Sequence, residues 1–153
     1  MQQSLRRLAI AFTFFVWVLP RVFPLLMYPG LYSFDSWYFM AYAESIQAWN
    51  QITPLDPFVY YNIPHPALYL FTVQLSYFLG VPLLESFRLF TVILIVTGFL
   101  VFFSLYRQIL GPGWSSIVAM LLFAVAVDVI AQTNCVIQEN MALIFLGLIL
   151  ISA

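Results

Sequence analysis

Long apolar runs that carry almost no charge constrain the fold of this chain more than any other feature. Residues 87–106 contain Arg88 as their only charged side chain, and at about 1.5 Å per residue they reach across the ~30 Å hydrocarbon core of a bilayer. Hydrophobic residues make up 64% of the sequence and charged residues 7%, against roughly 25% charge in soluble domains. A soluble enzyme and a disordered chain both need polar surface that this sequence lacks. The sequence therefore predicts an integral membrane protein.

The apolar runs predict an all-α fold of polytopic transmembrane helices in a single module. The predicted spans are residues 8–28, 87–106, 114–130 and 139–153. A shorter run, residues 67–79, reaches only about 20 Å, so we expect a re-entrant or interfacial helix there. Residues 29–66 are rich in proline and aromatic side chains, and we expect a long external loop carrying interfacial helices after the first span.

Arg6 and Arg7 precede the first span and orient it. By the positive-inside rule they hold the N-terminus in the cytoplasm, so that the first helix exits outward. We interpret this span as an uncleaved anchor rather than a signal peptide, since no small-x-small cleavage site follows it. The predicted location is a membrane crossed several times, either a bacterial or archaeal plasma membrane or the endoplasmic reticulum.

The topology of the later spans depends on residues 67–79. If this run does not cross, Arg107 falls inside with the N-terminus, and Asp35 and Glu139 share the outer face. If it does cross, Arg107 lies outside and Glu139 inside. We favour the first arrangement because basic residues are the strongly topogenic ones.

Charge and cysteine content exclude several partners. The sequence has 5 Lys+Arg against 6 Asp+Glu, a net charge of -1, and no basic run, so we expect no nucleic-acid binding. Cys135 is the only cysteine and His65 the only histidine, so neither an intramolecular disulfide nor a zinc-site spacing is available. Glycine-rich phosphate loops and nucleophilic Ser or Cys signatures are also absent.

Asp35 is the strongest candidate for chemistry. It follows the first span, at the start of a predicted helix over residues 36–49 and among aromatic side chains. A carboxylate that is partly desolvated in this way gains basicity, although an N-cap alone would also explain it. Glu139 opens the last span, where the helix dipole favours a carboxylate, and binding of an acceptor is the functional alternative.

Basic side chains on the outer side are candidates for binding a phosphate. Arg21 lies near the outer end of the first span and Arg88 at the start of a later one, and guanidinium groups bind phosphate in a bidentate fashion. His65 stands between two prolines that fix the backbone, and it could donate a hydrogen bond or shuttle a proton. Structural alternatives stay open: snorkelling for Arg21, helix-end packing for Arg88 and a backbone-bonded imidazole for His65.

The order of these features resembles the N-terminal part of the polytopic glycosyltransferases of the C superfamily. Asp35-Ser36-Trp37-Tyr38 resembles the acidic motif of the first external loop there. His65-Pro66-Ala67-Leu68-Tyr69 resembles a His-Pro-Pro-Leu-Tyr segment of the protein O-mannosyltransferase and aminoarabinose transferase branch. Glu85-Ser86-Phe87-Arg88-Leu89 is similar to the start of the next span, and Glu139 matches an acidic position in the second external loop.

The resemblance implies sugar transfer from a polyprenyl-phosphate or polyprenyl-diphosphate lipid to an acceptor glycan, lipid or protein. Asp35 would be the catalytic base. The implied substrate-binding residues are Arg21, Tyr38, His65, Tyr69, Arg88 and Glu139. No cofactor is required by the pattern, but in a metal-dependent branch Asp35 and Glu139 would share a Mg²⁺ or Mn²⁺ ion. Ser36, Ala67 and Phe90 depart from the family pattern, which leaves the branch and the donor sugar open.

Two other classes of function remain. A non-catalytic subunit that binds a polyprenyl lipid or scaffolds a membrane complex is compatible with the aromatic loop. A transporter is disfavoured because the ionisable residues cluster in a loop rather than at mid-membrane. Members of the resembled superfamily are several times longer, so we expect this chain to be an N-terminal fragment of a longer enzyme or a split subunit with a partner.

Overall fold

The computed structural model describes residues 2–27, 34–49, 67–126 and 138–152, and six helices account for nearly all of them. The helices are α1 (Gln2–Met27), α2 (Phe34–Trp49), α3 (Ala67–Leu79), α4 (Leu83–Leu110), α5 (Trp114–Val125) and α6 (Gln138–Ser152). No strand occurs among the described residues. The prediction of an all-α fold is confirmed for these parts of the chain.

Within the described residues, α1 and α4 are the helices that are long and apolar enough to cross a membrane. They have 26 and 28 residues, so at about 1.5 Å per residue each exceeds the ~30 Å hydrocarbon core. α4 extends beyond the predicted span 87–106 at both ends. α5 has 12 residues and ends at Val125, before the predicted bound of 130, and residues 127–137 lie outside the described part of the chain.

A defined turn joins α3 to α4. The 13 residues of α3 coincide with the predicted short run 67–79. Gly80 follows with φ +65°, a left-handed conformation that favours glycine, and the Ser76 hydroxyl donates to the Val81 carbonyl oxygen at 2.7 Å. Pro82 then precedes the first residue of α4. The chain therefore enters α4 directly from the end of α3.

Side-chain contacts fix the directions of the long helices. α1 and α4 are antiparallel, because Phe14 packs edge-on against Phe99 with ring centroids 5.0 Å apart while Trp17 bonds to the Ile95 carbonyl. α5 runs parallel to α1, since Arg6 of α1 donates to the Pro112 carbonyl just before α5 begins. Helices α1, α4 and α5 thus form an up-down-up arrangement.

The direction of α6 follows from a contact at its C-terminus. The Gln108 side-chain amide, near the end of α4, donates to the Ile151 carbonyl at 3.2 Å. α6 therefore ends beside the end of α4 and runs parallel to it. Gly147 of α6 lies against Val101 of α4: a Cβ added at Gly147 would come within 2.5 Å of the Val101 side chain. Such close approach at a glycine is common between membrane helices.

The bundle has two chemically different ends. At the first, which we call the arginine end, α1 begins with Arg6 and Arg7 and α4 finishes with Arg107 in its last turn. At the second, which we call the loop end, α1 and α5 finish and α4 and α6 begin. α2 and α3 pack against the start of α4 at the loop end, around a buried cluster of Tyr42, Ala43, Ile46, Tyr69, Val73, Leu83, Phe87 and Phe90.

Candidate functional site

All candidate site residues except His65 have a described backbone, and they lie in the half of the bundle at the loop end. Asp35 and Tyr38 are in the first two turns of α2, and Glu139 is in the first turn of α6. The side chains of these three residues, and the whole of His65, lie outside the described residues. Their roles stay predictions.

Arg21 is fully buried, with no exposed side-chain area. Its Nη1 donates to the Trp17 carbonyl at 2.7 Å and to the Ala124 carbonyl at 3.2 Å, and its Cζ lies 3.7 Å from the centroid of the Trp17 ring. Ala124 is in the last turn of α5, where carbonyl groups lack partners within the helix and carry partial negative charge. Arg21 of α1 therefore closes the C-terminal end of α5.

Trp17 is the centre of the contact between three helices. Its ring has no exposed area, stacks on Phe123 with centroids 5.9 Å apart, and donates from Nε1 to the Ile95 carbonyl of α4 at 2.7 Å. Gly98 of α4 makes room for it, since a Cβ there would stand 3.4 Å from the indole. The tryptophan thus links α1 to α4 and α5 and orients the face that carries Arg21.

Tyr69 belongs to the buried cluster between α2, α3 and α4. Its side chain has no exposed area, and its ring meets the ring of Tyr42 edge-on at 4.7 Å between centroids. The Tyr42 hydroxyl is buried and makes no hydrogen bond within the described part of the chain. Asp35 precedes Tyr42 by two helical turns of α2, so both residues share one face of the helix by register. Tyr42 itself packs in the cluster with α3 and α4.

Arg88 makes an ion pair on the outside of α4. Its Nη1 lies 3.1 Å from Oε1 of Glu85, one turn earlier, and the side chains are 22% and 50% exposed. Pairs of this exposure contribute little to stability. Arg88 therefore has a partly exposed side chain in the half of α4 that lies at the loop end.

Metal binding has no support among the described side chains. No group of three His, Cys, Asp or Glu residues there could hold a metal ion. Asp35 and Glu139, the ligands that a metal-dependent branch would use, have side chains outside this part of the chain. The metal alternative stays a prediction.

Trp17 and Tyr42 are buried residues that the sequence did not single out. Trp17 and Arg21 are four residues apart, a spacing that places side chains on one helix face, so their contact was predictable from the sequence. The position of Tyr42 on the same face of α2 as Asp35 was also predictable, because the two residues are seven positions apart. The Ala124 carbonyl was not, because a backbone atom 103 positions from Arg21 leaves no pattern in a single sequence.

Comparison of the chain with protein-family models, curated proteins and solved structures gave no match.

Proposed function

We propose that this chain is a membrane glycosyltransferase module that transfers a sugar from a polyprenyl-phosphate-type lipid to an acceptor on the external or luminal face. The observation that carries the proposal is the separation of charge along the helix bundle. Arg6, Arg7 and Arg107 lie at the arginine end, whereas the backbones of Asp35 and Glu139 lie at the loop end. By the positive-inside rule the arginine end faces the cytoplasm.

The short helix α3 supports the same orientation. It is about 20 Å long by its residue count, too short to cross the hydrocarbon core, and it packs beside the first turns of α4. α1 and α4 are therefore consecutive crossings. Asp35, in the chain between them, then lies on the outer face.

In the proposed reaction Asp35 acts as the base. The acceptor O–H proton passes to the Asp35 carboxylate as the acceptor oxygen forms a bond to the anomeric carbon. The bond from that carbon to the lipid phosphate oxygen breaks, and the polyprenyl phosphate leaves with the electron pair. Arg88, with its partly exposed side chain, and His65 are the candidates for stabilising this charge. The complete burial of Arg21 favours a structural role for that residue.

A transfer assay tests the proposal. Membranes from cells that express the full-length protein would be supplied with sugars linked to polyprenyl phosphate. Transfer would be compared between the wild type, Asp35→Asn and Glu44→Gln. Glu44 is an exposed carboxylate of the same helix and serves as the matched control. We expect Asp35→Asn to lower transfer by about 10²–10⁴-fold, with an unchanged amount of folded protein, and Glu44→Gln to retain it.

The outcomes separate the classes of function. Transfer at the wild-type rate by Asp35→Asn would overturn the assignment of the base. Binding of polyprenyl phosphate by a wild type that transfers no sugar would favour the alternative, a non-catalytic lipid-binding or scaffolding subunit.

The orientation has a test of its own. Cys135 is the only cysteine of this chain, so Cys135→Ser removes its native thiol, and Gln3→Cys or Glu44→Cys then adds one at a chosen position. We expect a membrane-impermeant maleimide to label Glu44→Cys on intact cells and Gln3→Cys only after permeabilisation. The reverse pattern would place the candidate site on the cytoplasmic face and overturn the proposed donor side.

A further inference from the structure

The arginine end, opposite the proposed catalytic site, has an open cavity of about 510 Å³. Its walls come from the first turns of α1 and from the turn before α5: Gln2, Gln3, Arg6, Gly113 and Trp114. Arg6 uses one guanidinium nitrogen, Nη2, for the Pro112 carbonyl. A guanidinium has five N–H donors, so the group keeps donors for an anion in the cavity.

An apolar groove of about 550 Å³ continues from this cavity along α1. Trp114 lines both spaces. The groove walls are Leu5, Leu8, Ala9, Ala11, Phe12, Phe15 and Trp114. From Leu5 to Phe15 the helix rises about 15 Å, which is half of the ~30 Å hydrocarbon core and so the depth of one leaflet.

The electrostatics of this end favour an anion. Arg6, Arg7 and Arg107 are there, and the carboxylates whose side chains are described, Glu44 and Glu85, are on helices that meet at the loop end. α5 begins beside the cavity with Gly113 as its N-cap and no side-chain cap, which adds the positive end of a helix dipole.

We propose that the cavity and groove together bind an anionic phospholipid of the cytoplasmic leaflet. Its phosphate accepts hydrogen bonds from Arg6 and the glutamine amides, and one acyl chain lies along the groove beside Leu8 and Phe12. Trp114 lies between the cavity and the groove, at the level where the phosphate meets the acyl chain. Tryptophan is enriched at this level, the membrane–water interface. The site is at the other end of the bundle from Asp35, so it does not depend on the proposed catalysis.

Native mass spectrometry of the detergent-purified protein tests this site. Phosphatidylglycerol is the anionic probe, phosphatidylcholine the neutral reference and inorganic phosphate the competitor. The variants are Arg6→Gln, Arg6→Lys, Leu8→Trp and the matched control Arg7→Gln, which removes the same charge from a neighbouring residue that does not line the cavity.

We expect one phosphatidylglycerol to bind in preference to phosphatidylcholine. Arg6→Gln should weaken the affinity for phosphatidylglycerol about fivefold, the change expected for the loss of one arginine near the membrane surface. Arg6→Lys should keep the preference for the anionic lipid, Leu8→Trp should weaken binding by filling the groove, and Arg7→Gln should leave it unchanged. Thermal unfolding of each variant checks that the Arg6 contact with Pro112 is not required for folding, and Leu8→Trp leaves that contact intact.

Several results would overturn the proposal. Equal losses of phosphatidylglycerol affinity in Arg6→Gln and Arg7→Gln would mean that net charge alone attracts the lipid. Equal binding of phosphatidylcholine would remove the role of the anion, and full displacement by inorganic phosphate would mean that the headgroup site binds without the groove. Unchanged binding in Leu8→Trp would contradict the path of the acyl chain.

Discussion

The guanidinium of Arg21 lies 3.7 Å from the centroid of the Trp17 ring, one helical turn away in α1, and both side chains are fully buried. The same guanidinium donates to the Ala124 carbonyl in the last turn of α5. A buried cation is costly unless it has partners, and these two contacts supply them. The pair therefore joins α1 to the end of α5 in the interior of the bundle.

Arg21→Met is expected to destabilise the fold. The substitution keeps an apolar stem against Trp17 but leaves the Ala124 carbonyl without this donor, at a cost of about 1–3 kcal/mol. Arg21→Lys should fall between methionine and the wild type, because an ammonium keeps the charge but lacks the planar fork. Thermal unfolding in detergent measures both, with exposed Arg7→Met as the control. Equal unfolding temperatures for Arg21→Met and Arg7→Met would contradict the capping role.

Trp17→Phe removes one hydrogen bond between α1 and α4. The indole Nε1–H to the Ile95 carbonyl, at 2.7 Å, is lost while most of the aromatic contact remains. Hydrogen bonds between membrane helices contribute about 0.6–1.7 kcal/mol, so we expect a loss of that size in chemical unfolding. Trp114→Phe, at a partly exposed tryptophan, is the matched change and should have a smaller effect; a larger loss at Trp114 would refute the assignment.

Gly147→Ala should destabilise the contact between α4 and α6. The added methyl would meet the Val101 side chain at 2.5 Å, and overpacking of this kind costs about 1–3 kcal/mol. Gly98→Ala is the control, because its methyl would stand at 3.4 Å from the Trp17 ring. Adding Val101→Ala should rescue Gly147→Ala in the same unfolding assay. Without that rescue, the clash with Val101 cannot be the cause.

Tyr42→Phe is expected to raise stability. The Tyr42 hydroxyl is buried and has no hydrogen bond within the described residues, and a buried polar group without a partner costs about 1–3 kcal/mol. The ring contact with Tyr69 remains in the variant. Tyr77→Phe, at an exposed tyrosine, should leave the unfolding temperature unchanged. A fall in stability for Tyr42→Phe alone would show that the hydroxyl does bond to a group in the folded protein.

The bounds of the helices were predictable where turn residues mark them. Gly80 and Pro82 close the run 67–79 in the sequence, and α3 ends at Leu79. Apolar content alone ended the predicted span of α4 at residue 106, but its last turn continues through Arg107 to Leu110, directly before the turn Gly111-Pro112-Gly113. Polar residues at the end of a long helix snorkel to the interface without ending it, so a hydropathy criterion stops too early.

The candidate site was predictable from the sequence only as a set of positions along the chain. The spacing of Asp35 and Tyr42 follows from helical periodicity, and the shared end of Asp35 and Glu139 follows from the parity of the crossings. The contact of Arg21 with α5 does not, because its acceptor there is a backbone carbonyl. Backbone acceptors carry no side-chain signature, so only the packed structure shows them. The catalytic role of Asp35 stays a prediction for the transfer assay.

Arg21 and Ala124 are separated by 103 positions of the chain, so the two residues of this contact are synthesised at different times. Synthesis proceeds from the N-terminus, which means that α1 has left the ribosome long before the end of α5 is made. The Ala124 carbonyl therefore emerges after the Arg21 side chain that donates to it. Arg21 of α1 is thus already made when the end of α5, the shorter helix that it caps, is synthesised.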